Sequence, residues 1–390
     1  MSAWGWGHAA LRDGLRSGRT AIRPFSRFEH ARQRTHIAGE VPPEGSLRAP
    51  GSWPRLSRAD RYALFAAGEA VGEAGLRAPL DEPGTGVYFA SATAGLHESE
   101  LYLAAAWAGG KPRAGLLASQ QLNGPGDAVA RQLGVTGPVL TISSACASAT
   151  LALEAALRDL RSGAVDLAIA GGADSLCLIT YSGFNALRVV DERPCRPYRR
   201  DRAGMSLGEG AGVLVLETET HAARRGARPL AEFKGAGASC DASHMTAPQP
   251  GGEGAALAIT RALADAGAER EDVAFVNVHG TGTPLNDMAE SEAMRRVFAE
   301  RSRRVPLTAT KASIGHLLGS AGAIEAVATV LCLRDRQIDP TAGGGEVDPA
   351  LPLDVVLDGP RPIGEGVALS INLAFGGANA AVVFGRWAAG

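Results

Sequence analysis

Twice in this chain a strand-like run ends in small polar residues and then opens into an alanine-rich helix. The two stretches are TISSACASATLALEAAL (141–157) and TATKASIGHLLGSAGAIEAVATVL (308–331). Helices so rich in Ala, Gly and Ser pack closely inside a protein, because small side chains let backbones approach. The echo therefore predicts two similar halves sharing one core, against the alternative of coincidence in an alanine-rich chain. Around it, short runs rich in Val, Ile and Leu alternate with longer segments of helical period, the pattern of an α/β protein. Strands are expected near 86–91, 138–143, 166–171 and 211–217. A second set is expected near 230–238, 273–278, 305–309, 367–371 and 380–385. Helices are expected near 8–15, 57–75, 97–107, 122–133 and 146–162, then 254–267, 286–300 and 316–334. The division into halves falls at 1–220 and 221–390. The first half then has four strands and the second five, so the first strand of the first half is missing.

A length of 390 residues with 45% apolar content is enough to bury a large core. The formal net charge of −2 and a pI near 6.5 lack the basic excess of a general nucleic-acid binder. The five cysteines (Cys146, Cys177, Cys195, Cys240, Cys332) form no C-x-x-C pair. An odd count in a domain of this size favours free thiols and the cytoplasm. No run approaches the roughly 18 apolar residues of a membrane span, and MSAWGWGHAALRDG is no secretory signal.

Cys146, in ISSACASAT, follows a strand and begins an expected helix. Unpaired N–H groups at a helix start would stabilise a thiolate and lower its pKa. They could also hold the oxyanion formed when a thioester is attacked; the bland alternative is a buried cysteine packing as a small hydrophobe. VNVHGTGTPLND places His279 at the mouth of an apolar strand, with Thr281 and Thr283 able to bind an amide-rich or phosphate-bearing arm. TKASIGHLLGSAGAIE supplies Lys311, His316 and Glu325, with His316 at an expected helix start. There the positive helix end would keep its imidazole neutral and able to donate from Nε2. Lys311 with Glu325 reads by default as an ordinary ion pair. NLAFGGANAA sets Phe375 beside a double glycine that allows a sharp turn. No cluster of metal ligands is visible, and no cofactor is expected.

In order and spacing these motifs, with RPYRRDRAGMSLGEGAG (196–212) and CDASHMTAPQP (240–250), resemble the β-ketoacyl-[acyl carrier protein] synthases of the type I/II group. The resemblance runs from about Gly18 to Phe384. It implies a thiolase-like fold: two βαβαβαββ halves in a layered α-β-α-β-α core. It also implies a decarboxylative Claisen condensation, in which an acyl group on Cys146 is joined to malonyl-acyl carrier protein in fatty-acid-type elongation. By the same resemblance, His279 and His316 stabilise the enolate, and Lys311 with Glu325 orients them. The N–H groups of Cys146 and Phe375 form an oxyanion hole, and the Phe375 ring gates the pocket. Thr281 and Thr283 hold the phosphopantetheine arm, and Thr93 lines the acyl pocket. Expected partners are an acyl carrier protein and a second copy, or a heterodimeric chain-length partner. Because carrier proteins are usually acidic, Arg55, Arg58 and Arg61 on an early helix, with Arg199 and Arg200, are the docking candidates.

Departures from the family pattern carry expectations of their own. Family members begin with an apolar strand that this chain lacks. That strand is expected inside the first sheet, where its loss would expose apolar surface and ladder groups. Leu373 and Ala374 replace the usual Phe-Gly before the gate, and Ala203 stands where Asp is common. A thiolase would need a second cysteine near the C-terminus, and type III synthases carry Asn in place of His316; both are disfavoured. The alternatives left open are a catalytic ketosynthase subunit of a polyketide or polyene pathway, and an inactive structural or chain-length partner.

Overall fold

The computed structural model describes residues 1–43, 56–82 and 84–387. Helix α1 (His8–Arg16) is followed by a small ribbon of β1 (Arg23–Pro24) and β2 (Ile37–Ala38). Helix α2 (Arg58–Glu73) starts at a reciprocal cap: Asp60 N donates to Ser57 Oγ (3.1 Å), and Ser57 N donates to the Asp60 carboxylate (2.6 Å). Then come β3 (Thr85–Ala90), α3 (Leu96–Trp107), α4 (Gly124–Leu133), β4 (Val139–Ile142) and α5 (Ser148–Arg161). The first half closes with β5 (Leu167–Asp174), α6 (Leu178–Ala186), β6 (Gly210–Glu217) and α7 (Glu219–Arg224). The second half has β7 (Ala231–Cys240), α8 (Glu253–Asp265), β8 (Val273–Asn277), α9 (Pro284–Phe298), β9 (Pro306–Thr308), α10 (Lys311–Ile314) and α11 (Ala321–Asp335). Short strands β10 (Gln337–Ile338), β11 (Asp354–Val355) and β12 (Arg361–Pro362) precede β13 (Val367–Leu373) and β14 (Ala378–Arg386).

One sheet runs β4-β3-β5-β6 and the other β11-β9-β8-β13-β14-β7. The order β9-β8-β13-β14 repeats β4-β3-β5-β6, and in each sheet the last of these strands is antiparallel to its predecessor. The second sheet therefore has the five expected strands plus β11. Every residue of β3 and β5 is buried, as parallel strands covered on both faces should be. Helices α5 and α11 touch both sheets and form the middle layer, with α2 and α4 outside one sheet and α8 outside the other. A single apolar cluster crosses that layer, joining Tyr88, Leu153 and Ala168 to Phe275, Val330 and Phe384. The two middle helices meet closely at Gly322, where an added Cβ would lie 2.1 Å from Thr150 Oγ1. The small-residue helices thus pack as their composition predicts.

A first strand of the first half was expected to belong in the interior of its sheet, and the second sheet corrects that position. Its counterpart there is β7, at the edge beyond β14. The edge of β6 is the equivalent place, and Met1 pairs there: its ammonium donates to Ala211 O (2.7 Å) and Ala211 N donates to Met1 O (3.2 Å). Burial lowers this ammonium to about 6.

Candidate active site

Cys146 lies in the turn between β4 and α5. Ala145 before it has φ 44°, a left-handed conformation costing a non-glycine residue roughly 1–3 kcal/mol. Ser148 holds the turn, its Oγ accepting from Ser144 N (2.7 Å) and donating to Ala145 O (2.6 Å). The helix begins at Ser148, so Cys146 precedes it and does not open it. With Cys146 only 6% exposed, burial pushes the thiol up to about 11. The expected lowering is thereby reversed. Desolvation outweighs the opposing pull of Lys311 and of the Phe375 and Cys146 amides, both of which engage the sulfur.

His279 follows β8 and belongs to a loop clamped by the helix after it. His279 N and Gly280 N donate to the two oxygens of Glu290 (2.7 and 2.9 Å), and Gly282 N donates to Asp287 (3.1 Å). Tyr198 completes the clamp, its hydroxyl on Glu290 and its amide on Asp287 (2.7 Å). Both acids are buried in α9, and burial pushes Asp287 up to about 7. Thr281 and Thr283, their hydroxyls 3.0 Å apart, sit where this loop enters α9.

His316 is not at a helix start. Gly315 (φ 80°) ends α10, and a 3-10 turn over Leu318–Ser320 intervenes before α11. Its imidazole is nonetheless held well below its usual pKa, by burial first and then by the Lys311 charge. The same causes, with His316 added, lower His279. His316 Nδ1 accepts from Leu318 N (3.1 Å), which leaves the ring proton on Nε2. His316 Nε2 is buried without a hydrogen-bond partner among the described residues. Asn372 does the corresponding work at His279. Its amide donates to Glu325 Oε2 (2.7 Å) and lies 3.4 Å from His279 Nδ1, while its oxygen accepts from Thr150 Oγ1 (2.5 Å). With the amide so oriented, His279 also carries its proton on Nε2.

The two rings meet edge to face, with centroids 5.3 Å apart. Cys146 and the two histidines offer ligand-type atoms all within 4.8 Å of one another. Residues distant in sequence, one from the first half and two from the second, are thus gathered at one point. Lys311 Nζ and Glu325 Oε1 lie 2.5 Å apart, both groups fully buried, so the pair is no ordinary surface bridge. Phe375 is half-buried and stacks on Phe184 of α6 (5.6 Å, 19°). Its loop is tied down by Gly376 N donating to Met245 O (2.8 Å), and the left-handed residues are Gly376 and Gly377 (φ 85° and 83°), so Ala374 meets no such demand.

The other sequence candidates divide. Thr93 is buried, but its hydroxyl lies 2.9 Å from Asp174 Oδ1, so it is committed to a carboxylate and is not free to line a pocket with a polar group. Arg58 and Arg61 border a cavity of about 300 Å³ shared with Arg113, His97, Glu98 and Leu101. Arg199 is withdrawn as a docking residue. It is fully buried, donates to the carbonyls of Gly344, Pro197 and Thr341, and is lowered by burial to about 10. Arg200 is exposed, and Arg55 lies outside the described residues. Sequence reasoning missed Asp174, Phe184, Asp287, Glu290 and Asn372. Asp174, Phe184 and Asn372 act on groups remote in the chain, and Asp287 and Glu290 on the loop just before α9 and on Tyr198; Asp287 lay inside VNVHGTGTPLND and Asn372 opens NLAFGGANAA, both motifs already singled out.

The geometry agrees with what the chain resembles. Residues 4–222 match the beta-ketoacyl synthase N-terminal domain and residues 230–344 the C-terminal domain. Nodulation protein E of Rhizobium meliloti is 41% identical over 66% of this chain, and the match spans 64% of that relative's length. A 3-oxoacyl-[acyl-carrier-protein] synthase 2 of Staphylococcus aureus (strain COL) is 35% identical, covering 86% of this chain and 83% of its own. Among solved structures, the ishigamide ketosynthase/chain length factor superposes with a TM-score of 0.93 at 34% identity, covering 99% of this chain and 97% of its own.

Proposed function

Since the chain belongs to the β-ketoacyl synthase family, we propose that it condenses an acyl thioester with malonyl-acyl carrier protein and releases CO2. In the first step Cys146 Sγ attacks the acyl carbonyl. The new C–S bond replaces the one to the carrier's pantetheine thiol, which leaves with the proton that Cys146 gives up. The malonyl thioester then enters. Its C–CO2 bond breaks, and the electron pair passes to the thioester oxygen as an enolate. The enolate carbon attacks the acyl-enzyme carbonyl, and collapse of that adduct expels the Cys146 thiolate, which regains a proton.

One observation carries this reading: two neutral imidazoles converge on a buried thiol, each with Nδ1 occupied and Nε2–H free to donate. Donors fixed before the charge develops are worth about 3–4 kcal/mol each. The Phe375 and Cys146 amides beside the sulfur suit the second oxyanion. Lys311, paired with Glu325, keeps positive charge near both rings. Thr281 and Thr283 would receive the pantetheine arm, and Phe375 with Phe184 would gate the acyl side. The experiment is mass spectrometry after incubation with an acyl carrier thioester. An acyl adduct on Cys146 is expected, and an unmodified Cys146 under conditions where the protein is folded rejects the reading in favour of an inert partner.

The likeness to a ketosynthase/chain length factor favours a second reading, in which this chain is the catalytic subunit of a polyketide or polyene system. Either way a partner face is needed. The open edge of β4 exposes Val139 and Leu140, and α3 adds Leu101, Leu103 and Trp107, the last 86% exposed. An unpaired edge strand with exposed apolar side chains supports pairing with a second chain of the same fold. Carrier docking is assigned to Arg58 and Arg61, joined by Arg113 around one cavity. Five free thiols and the lack, among the described residues, of any helix long and apolar enough to cross a membrane are consistent with a cytoplasmic site. We divide the chain near residue 220, before β7 opens the second sheet.

A further inference from the structure

We propose that Asp174 is a positioning residue that fixes the His316 tautomer and ties it to the turn after β3. The proposal deepens the condensing-enzyme reading and rests on it for its kinetic consequence. Asp174 ends β5 and is fully buried. Its Oδ1 receives Ser91 Oγ (2.7 Å), Ala92 N (2.9 Å), Thr93 N (2.7 Å) and Thr93 Oγ1 (2.9 Å). Its Oδ2 receives Ala92 N (3.2 Å) and Ser320 N (3.0 Å). The amides of Ala92, Thr93 and Ser320 and the Ser91 hydroxyl donate, while Thr93 Oγ1 is shared with Ser175 O (3.1 Å), so the carboxylate faces mostly donors, which suit its ionised form. Burial raises the pKa while these hydrogen bonds oppose it. Among the described residues no basic side chain forms an ion pair with it, so backbone and hydroxyl dipoles alone hold the charge.

The geometry gives this carboxylate a task. Ser320 stands two residues after Leu318, whose amide donates to His316 Nδ1 and so sets which ring nitrogen carries the proton. Leu318 has φ 54°, a conformation that persists only where its surroundings enforce it. Gly319, between the two, leaves no slack: a Cβ there would lie 2.9 Å from Asp174 Oδ2 and 2.8 Å from Ala92 N. Asp174 thus holds the turn at Ser320 N while His316 accepts from its Leu318 amide. Through Ser91–Ala94 it also links that turn to the segment after β3.

Asp174→Asn tests this, because the amide keeps the size but turns an N–H toward amide donors. Malonyl-carrier decarboxylation should fall at least about tenfold, whereas acylation of Cys146 should change less than about threefold. Histidine ¹⁵N spectra should show His316 with an unprotonated Nδ1 in the wild type and mixed tautomers in the variant. Gly319→Ala alters no polar group and, by pushing on Oδ2, should give the same split in weaker form; it serves if the Asn variant fails to fold. Equal losses in both half-reactions with an unchanged His316 spectrum would show a merely structural role and overturn the proposal, as would two variants that both decarboxylate normally. The tautomer is read without substrate, so a wild type lacking condensation would sink the functional reading and leave this test standing.

Discussion

At the scale of single residues, the chemistry depends on burial working in two directions. It holds the Cys146 thiol protonated and both imidazoles uncharged. A thiol near 11 has little thiolate at neutral pH, so alkylation of Cys146 by iodoacetamide should climb about tenfold per pH unit from 7.5 to 9.5. A plateau below pH 8.5 would mean that Lys311 and the Phe375 and Cys146 amides outweigh desolvation after all. The imidazoles give the opposite profile. Their pKa values lie below the usual 6.5, so they stay neutral donors as pH drops through that point. Malonyl decarboxylation should therefore be flat from pH 8 to 6.5 and decline only in more acid solution. A half-maximal loss centred on pH 6.5 would identify ordinary, solvated histidines.

At the scale of elements, the decisive contact is the crossing of α5 and α11. Gly322 sits against Thr150, which orients Asn372, which in turn faces His279 Nδ1. Gly322→Ala should push this chain of hydrogen bonds apart. The expected result is a loss of roughly 1–3 kcal/mol in denaturant unfolding, typical of overpacking a dense core, together with slower decarboxylation. Both helices were legible in the sequence because strand, small polar residues and alanine-rich helix follow one another twice. The nine principal strands were legible for the same local reason. Helix α6 was not: LITYSGFNA has no side-chain cap and no polar stripe, so periodicity gives no signal. His316 was misplaced onto a helix start because α10 stops at Gly315 and the turn after it is held by contacts remote in the chain, Ser206 O on His316 N and Asp174 on Ser320 N. Glu290, Asp287 and Asp174 were invisible as site residues. Each holds backbone amides of another segment, and nothing in a linear sequence marks which amides a carboxylate will meet.

At the scale of the whole molecule, the proposed partner contacts fall on two surfaces. Replacing Leu103 and Trp107 together by Glu should convert an associated species to a monomer in sedimentation velocity. A dimer that survives would move the interface away from α3 and β4. Reversing charge at Arg58 and Arg61 should raise KM for a carrier-bound substrate several-fold while leaving a small pantetheine thioester unaffected, since screened surface charges govern encounter more than chemistry. Equal effects on both substrates would contradict docking there. The thiol comes from the first sheet's connections, both imidazoles from the second's, and the Phe375 amide from a loop near the far end of the chain. A ribosome emitting this chain therefore releases a reactive sulfur long before its collaborators exist. Competence requires β13 and β14 to be in place, since the loop between them supplies the Phe375 amide, and until then a thioester meets a cysteine without that donor.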